Sequence, residues 1–210
     1  PSVSFDGTDF LSVYQGSVFY YPCTFSHMQN LILAARVSPE DGLLDSTAVP
    51  VRAGCSVGGS MESPAVASDG ENSLVSWADY SLFVGSRPEG AMVTPGLGIS
   101  WFPIGTAGGD DLSPTVLAPA VASSGSGYLV AWVDRRNVVS QVHCTRVTPE
   151  GTVLDPDGIP LTTTGGVSST ALAVSFCEPV YLVVWVHGST IYGSRVTPEG
   201  TVLDAEGFAI

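Results

Sequence analysis

Few side chains in this sequence are spaced for chemistry. The three histidines, His27, His143 and His187, form neither an HxH nor an HxxxH pair, which are the spacings that place two ligands on one metal. The sequence also lacks a GxSxG nucleophile elbow, a phosphate-binding loop and a dinucleotide fingerprint. We therefore expect structural or surface roles for the histidines, assign no catalytic residue, and predict that the chain is not an enzyme.

Two aspartates deserve comparison with an acid–base pair. Asp79 and Asp134 each follow a tryptophan by two residues, and paired carboxyl groups could act as the acid and the base of a glycosidase. However, they recur with the repeat described below, whereas catalytic pairs are usually unique within a fold. We expect each to cap a turn or to pair with an arginine, for instance Arg135, Arg136 or a repeated arginine.

Metal sites are weakly indicated. Asp155-Pro-Asp157-Gly158 resembles the start of a calcium loop but lacks the third carboxylate and the distal glutamate. The segment 108–111, Gly-Gly-Asp-Asp, has oxygen ligands that could bind a cation, but we interpret it as a linker between two repeat units. We assign no metal ligand and no cofactor, with calcium as the alternative.

The best candidate for a binding site is an aromatic segment at 17–30, which interrupts the repeat. Segments inserted into a repeat map to loops, and exposed aromatic rings suit a sugar ring or a protein partner. The alternative is that the segment packs inward, held by Cys23. The candidate ligand-binding residues are Phe19, Tyr20, Tyr21, Phe25, His27 and, in a second irregular segment, Trp101.

The composition excludes several partners. Twenty acidic residues against seven arginines, with no lysine, give a net charge of −13, so nucleic acid and anionic membranes would be repelled. No apolar run reaches the length of a membrane helix, so we expect no membrane insertion. The sequence begins at Pro1 rather than at Met, and we expect that an upstream segment has been removed.

The four cysteines leave two interpretations open. Cys23 and Cys55 are 32 residues apart, and Cys144 and Cys177 are 33 apart, so two disulfides could form in an oxidising compartment. Buried free thiols are the alternative, since cysteine packs as a small apolar residue.

An internal repeat organises the whole chain. The ten residues Arg146-Val-Thr-Pro-Glu-Gly-Thr-Val-Leu-Asp155 recur unchanged at 195–204. Arg36-Val-Ser-Pro-Glu40 is a weaker copy, and Arg87-Pro-Glu-Gly90 reads as a degenerate one. Such periodicity is the signature of a repeat architecture.

A second block precedes each copy, and it ends on an aromatic residue at Tyr14, Trp77, Trp132 or Trp185. A turn position lies eight residues before each of these aromatic residues. The resulting units run roughly over 1–54, 55–112, 113–166 and 167–210, within a single domain that spans 1–210.

Each unit is predicted to form four short strands joined by Gly-containing turns. No segment combines the hydrophobic periodicity of a helix with helix-capping residues. A unit of about fifty residues with strands covered on both faces is typical of a propeller blade. The predicted fold class is all-β, a β-propeller of four blades with four antiparallel strands each. The recurring tryptophan would wedge between blades, and the recurring arginine would pair near the blade edge.

The pattern resembles a class of secreted bacterial repeats with the consensus SDGxxYLVVWxD followed by IYGxRVxPxGxxLD, best seen at Ile191-Tyr-Gly-Ser-Arg-Val196. This resemblance covers essentially the whole chain. It implies β-propeller-like modules that are secreted or displayed on the cell surface, mostly without an assigned activity.

From these observations we expect a non-catalytic extracellular binding module, lectin-like in character, that recognises a glycan or a protein through blade loops. Self-association into a homo-oligomer is compatible with it. The alternative is an accessory propeller domain, or a fragment, of a larger secreted enzyme or surface assembly.

Overall fold

The computed structural model describes residues 1–19, 28–52, 60–81, 85–106, 116–135, 139–163, 167 and 171–210. Their regular structure consists of strands, arranged in four antiparallel sheets that follow one another along the chain. This confirms the predicted all-β, four-bladed propeller class. Among the described residues, no helix is long and apolar enough to cross a membrane.

Each sheet, called a blade here, is a meander of consecutive strands. Blade 1 contains β1 (Ser2–Phe5), β2 (Phe10–Phe19), β3 (Met28–Ser38), β4 (Gly42–Leu43) and β5 (Val49–Pro50). Blade 2 contains β6 (Ser60–Ser68), β7 (Ser73–Ser81), β8 (Gly85–Val93) and β9 (Ile99–Pro103). Blade 3 contains β10 (Val116–Ser123), β11 (Tyr128–Asp134), β12 (Gln141–Val147) and β13 (Ile159–Pro160). Blade 4 contains β14 (Leu172–Cys177), β15 (Val180–His187), β16 (Thr190–Val196) and β17 (Phe208–Ala209).

The first strands of successive blades lie side by side: β1 contacts β6, β6 contacts β10, and β10 contacts β14. The blades therefore stack face to face around their first strands, as in a propeller. The second strands of blades 2 and 3 are buried on both faces, most completely in β11. That burial explains why these strands are apolar without alternation.

The core consists of the layers between blades. Trp77 belongs to the layer between blades 1 and 2, Trp132 to the next layer and Trp185 to the third. All three are almost fully buried, so the recurring tryptophan is the predicted inter-blade wedge.

Two predicted details differ from the structure. Arg87-Pro-Glu-Gly90 is not a turn, because these residues lie within β8, and Arg87 pairs in register with Asp79 of β7. Met92 takes the place of the repeated arginine, since it lies opposite Leu74 just as Arg146 lies opposite Leu129. The turn of blade 2 is instead closed by the hydrogen bond from Leu97 N–H to the Thr94 carbonyl.

The insertion at 17–30 is also not a free loop over its whole length. Its ends continue the β2–β3 hairpin, with Ser17 paired to Asn30 and Phe19 to Met28. The described ends of the insertion are therefore strand rather than loop.

Candidate functional site

A cluster of charged residues lies within blade 2, and it is called the blade 2 acid cluster here. It comprises Asp79 on β7, Arg87 and Glu89 on β8, Trp101 on β9, and Arg52 from the end of blade 1. Strand pairing brings its members together, because Asp79 lies opposite Arg87, and Glu89 lies opposite Trp77. The cluster therefore lies within the layer between the first two blades.

Glu89 is the centre of this cluster and is fully buried. Its Oε1 accepts hydrogen bonds from Arg87 Nε at 3.0 Å and Nη2 at 2.8 Å. Its Oε2 accepts one from Trp101 Nε1 at 3.0 Å and lies 3.1 Å from Arg52 Nε. A buried carboxylate is tolerated only when it is paired in this way.

Asp79 lies in an environment that disfavours its charged form. Burial, reinforced by the negative charge of Glu89 and a hydrogen bond with it, raises the pKa of Asp79 from 3.8 to about 6, and the positive charges of Arg52 and Arg87 offset this only in part. Asp79 thus has the raised pKa of a general acid, and a second carboxyl group, that of Glu89, lies beside it. Both are buried, however, and Arg52 covers the Trp101 ring at 3.8 Å from its centroid. In this arrangement the cluster can stabilise the blade but cannot reach a substrate.

Of the predicted ligand-binding residues, the structure describes the surroundings of Trp101 alone. Its ring is 39% exposed, but one face is covered by Arg52 and its N–H is donated to Glu89. Phe19 is the last residue of β2, whereas Tyr20, Tyr21, Phe25 and His27 lie outside the described residues. The structure assigns Trp101 to the blade 2 acid cluster, and ligand binding by the rest of the predicted set stays a prediction.

The repeated aspartates of the first turn have a structural role. Asp6 Oδ1 accepts hydrogen bonds from the N–H groups of Thr8 and Asp9, both at 2.8 Å. Asp69 does the same for Glu71 and Asn72. These carboxylates close the turn between the first and second strands.

The repeated arginines pair with the aspartate that ends their own motif. Arg146 Nε and Nη2 donate to Asp155 at 2.9 and 2.8 Å. These hydrogen bonds lower the pKa of Asp155 and raise that of Arg146. Asp134 accepts a hydrogen bond from Trp132 Nε1 at 3.3 Å, and its pairing with an arginine stays a prediction.

A cleft of about 300 Å³ lies between blades 3 and 4. Turn residues Ser124 and Ser126 line one part, and Arg146 and Glu150 line another. Tyr181 contributes its ring and donates its O–H to the Gly127 carbonyl at 3.2 Å. Hydroxyl groups, a guanidinium, a carboxylate and aromatic rings within this volume suit a small polar ligand.

The equivalent space between blades 1 and 2 is almost closed. It is lined by the matching turn residues Asp6 and Asp9 and by Arg36, but it measures only about 10 Å³. The cleft between blades 3 and 4 is therefore a local feature, although the repeat supplies the same backbone at both junctions. The sequence did not indicate this cleft, because its size depends on how two blades pack.

Histidine and cysteine do not form a metal site in the described part of the chain, where no group of three potential ligands is close enough to hold an ion. His143 is buried beside Trp132, with ring centroids 6.1 Å apart. Cys144 and Cys177 are both free thiols, the first buried and the second exposed. The proposed Cys144–Cys177 disulfide is thus wrong, and Cys23 and Cys55 lie outside the described residues.

Comparison with known proteins identifies the fold class but no sequence family. No protein-family model matches the chain, and no curated protein matches it. Solved structures do match. The sialidase of Trypanosoma rangeli is 13% identical with a TM-score of 0.60, over 98% of this chain and 37% of the sialidase. The GH43 endo-arabinanase of Bacillus licheniformis is 11% identical with a TM-score of 0.51, over all of this chain and 78% of the enzyme. A glycosyl hydrolase of Bacteroides ovatus is 10% identical with a TM-score of 0.51, over all of this chain and 68% of that one.

These similarities confirm a propeller-like fold, and they correct two expectations. The predictions of a non-catalytic module and of a chain that is not an enzyme are wrong, because the propellers that this chain resembles are glycoside hydrolases. The fold is one on which glycan-processing enzymes are built. The chain spans little more than a third of the sialidase that it matches.

Proposed function

We propose that this chain is the propeller of a secreted glycan-processing enzyme, and that the cleft between blades 3 and 4 holds one sugar unit of the glycan. The observation that carries the proposal is the cleft of about 300 Å³ with its polar and aromatic lining. The fold that the chain shares with glycosidases supports it, as does the resemblance of its repeat to secreted bacterial repeats.

The lining indicates how a sugar would bind. Arg146 donates hydrogen bonds to Asp155 from Nε and Nη2 and to the Glu199 carbonyl from Nη1. These bonds fix the guanidinium at the wall of the cleft. Ser126 and Glu150 are exposed there and offer a hydroxyl and a carboxylate to sugar hydroxyl groups. Rigid walls with a few polar groups are what small-ligand sites share.

The charge of the chain favours a neutral sugar over an acidic one. The net charge is −13, and Glu150 lies in the cleft itself. An anionic sugar such as sialic acid would be repelled at long range and would place a second carboxylate beside Glu150. We therefore propose a neutral glycan, and arabinan, the polymer that an endo-arabinanase acts on, is the first probe.

The test is calorimetric titration of the chain with arabino-oligosaccharides and with free sialic acid, together with an assay for reducing ends released from arabinan. Ser126→Trp fills the cleft and should weaken binding of the neutral sugar at least about tenfold, since it removes the space for the ring. Thr8→Trp is the matched control, because Thr8 occupies the same turn position at the junction where the space is only about 10 Å³.

Binding of the neutral oligosaccharide that Ser126→Trp abolishes and Thr8→Trp leaves intact would support the proposal. Binding that both variants weaken equally, or tighter binding of sialic acid than of every neutral probe, would contradict it.

A further inference from the structure

The three internal junctions of the propeller are built alike. The face of a blade that carries the recurring tryptophan is called the front face here, and the opposite face is called the back face. Trp132 and Tyr128 on the front of blade 3 pack with Leu74 and Ile104 on the back of blade 2. Trp185 and Tyr181 on the front of blade 4 pack likewise with Leu129 of blade 3.

The back face of blade 4 has the same apolar residues but no cover. Leu182 is 37% exposed, whereas Leu74 and Leu129 at the same repeat position are fully buried. The Ile210 N–H donates to the Ile191 carbonyl on β16, as the Leu161 N–H donates to the Val142 carbonyl on β12. Ile210 is 66% exposed, whereas Leu161 is 1% exposed. This face therefore exposes apolar residues at positions that are covered at the internal junctions.

Its residues already form a patch. A Cβ placed on Gly193 would lie within 3.4 Å of the side chains of Leu182, Phe208 and Ile210. Ile191, on the neighbouring edge, is about half exposed. Contiguous exposed apolar residues of this kind mark interaction surfaces.

The front face of blade 1 is open in the same way. Phe10 is 38% exposed, whereas Tyr128 and Tyr181 at the same repeat position are 1% and 2% exposed. The Phe5 ring contacts the Phe10 ring in a tilted arrangement, with centroids 4.9 Å apart, and Phe5 is also exposed, as is Val3.

The polar part of the junction is matched as well. Arg36 on the back of blade 1 donates Nη1 to the Pro95 carbonyl in the turn of blade 2 at 2.7 Å. Arg146 on the back of blade 3 donates Nη1 to the Glu199 carbonyl in the turn of blade 4 at 2.6 Å. Arg195 donates hydrogen bonds from Nε and Nη2 to Asp204 of its own blade. Its side chain is half exposed on the open back face. Blade 1 offers the corresponding turn at Ser38-Pro39-Glu40.

We propose that the back face of blade 4 packs on the front face of blade 1 of a second copy of this chain, with Arg195 donating to the turn at 38–40 of that copy. The two open faces carry the complementary halves of an apolar interface that this chain already forms three times, and of an arginine-to-turn contact that it forms twice. The contact is head-to-tail, so two copies close into one ring if the rotation fits, and a longer assembly forms if it does not. The proposal is independent of the glycan-processing function.

The test measures molar mass by light scattering and sedimentation velocity across the micromolar range, at low and at physiological salt. The chain should have at least twice the monomer mass of 21.7 kDa, and association should strengthen with salt because both copies are acidic. Leu182→Glu on the back face and Phe10→Glu on the front face should each give a monomer. Val139→Glu, at an exposed apolar residue in a turn of blade 3, is the matched control and should associate as the wild type does.

Mixing the two monomeric variants distinguishes this contact from any symmetric one. The Leu182→Glu chain keeps its front face and the Phe10→Glu chain keeps its back face, so an equimolar mixture should form a dimer with one of each. All of the substituted residues are exposed, and circular dichroism would confirm that the variants are folded.

A wild-type chain that stays monomeric at every concentration and salt would overturn the proposal. So would association that either single variant leaves intact, or a mixture of the two variants that remains monomeric.

Discussion

Replacing Asp79 by Asn should make this protein more stable at neutral pH. Asp79 lies 5% exposed beside the negative charge of Glu89. Burial is the larger cause, and Glu89 the next, of the rise in the pKa of Asp79 from 3.8 to about 6. The amide has nearly the shape of the protonated carboxyl group and has no charge to bury.

The sign follows from proton binding. Between about pH 4 and about pH 6, the folded chain holds a proton on Asp79 that the unfolded chain has already lost, so the free energy of unfolding falls as pH rises through this range. A shift from 3.8 to about 6 corresponds to about 3 kcal/mol, at 1.36 kcal/mol for each pKa unit. The Asn variant and the wild type should therefore have similar stability near the lower end of the range and differ by about this amount above it.

The assay is urea unfolding followed by tryptophan fluorescence at a series of pH values from about 4 to about 8, with the free energy extrapolated to water. Asp155→Asn is an internal control of opposite sign. Hydrogen bonds from Arg146 lower the pKa of Asp155, so its ionised form contributes stability at neutral pH that is lost as pH falls. That variant should be less stable than the wild type at neutral pH, and the difference should shrink in acid.

A free-energy difference between Asp79→Asn and the wild type that does not change with pH would refute the reasoning. So would a variant less stable than the wild type at neutral pH, because either result would mean that Asp79 is ionised in the folded chain without a cost.

Three further predictions concern the blade junctions and the thiols. Arg146→Met should lower the free energy of unfolding by about 1–3 kcal/mol, since it removes the hydrogen bond to the Glu199 carbonyl of the next blade as well as the pair with Asp155 in its own blade. Arg195→Met, which removes the pair with Asp204 within blade 4 of one chain, should lower the melting temperature less; equal effects in thermal melts would contradict this. In a Cys23→Ser, Cys55→Ser background, Cys177 should react with a thiol reagent at once and Cys144 only on unfolding, since burial raises the pKa of Cys144 to about 12; simultaneous labelling would argue against the burial. Gly90→Ala should destabilise the chain by about 1–3 kcal/mol in urea unfolding, since the added Cβ would lie 2.6 Å from a buried isoleucine methyl group; an unchanged midpoint would show that the isoleucine yields freely.

Local sequence predicted the strands well but misplaced one strand of blade 2. Arg87-Pro-Glu-Gly90 resembles the Thr-Pro-Glu-Gly turn, and a turn is the natural interpretation of Pro and Gly so placed. The β7–β8 ladder overrides it, because continued pairing brings Glu89 opposite Trp77 and within reach of three donors. The motif forms the predicted turn in blades 3 and 4. In blade 2 the similar tetrapeptide is instead paired within a strand.

The role of Trp101 likewise depends on a residue that is distant in the sequence. Trp101 was singled out as an irregular aromatic residue, and its irregularity reflects a partner, Glu89, that lies twelve residues away. Nothing in the spacing of Arg52 or Glu89 indicated that they would meet, because one ends blade 1 and the other lies in blade 2. The cleft beside Tyr181 was likewise invisible, since it is formed by two blades together.

The sequence by itself determined the repeat, and with it the four sheets, the order of their strands and the tryptophan in each layer. These follow from periods of two residues within a strand and about fifty within the chain, which act through local turns and pairing. Only the tertiary structure decided which faces are covered, where a cleft opens and which charges meet. Each of those depends on the distance between atoms of different blades, and the repeat leaves that distance free to vary from one junction to the next.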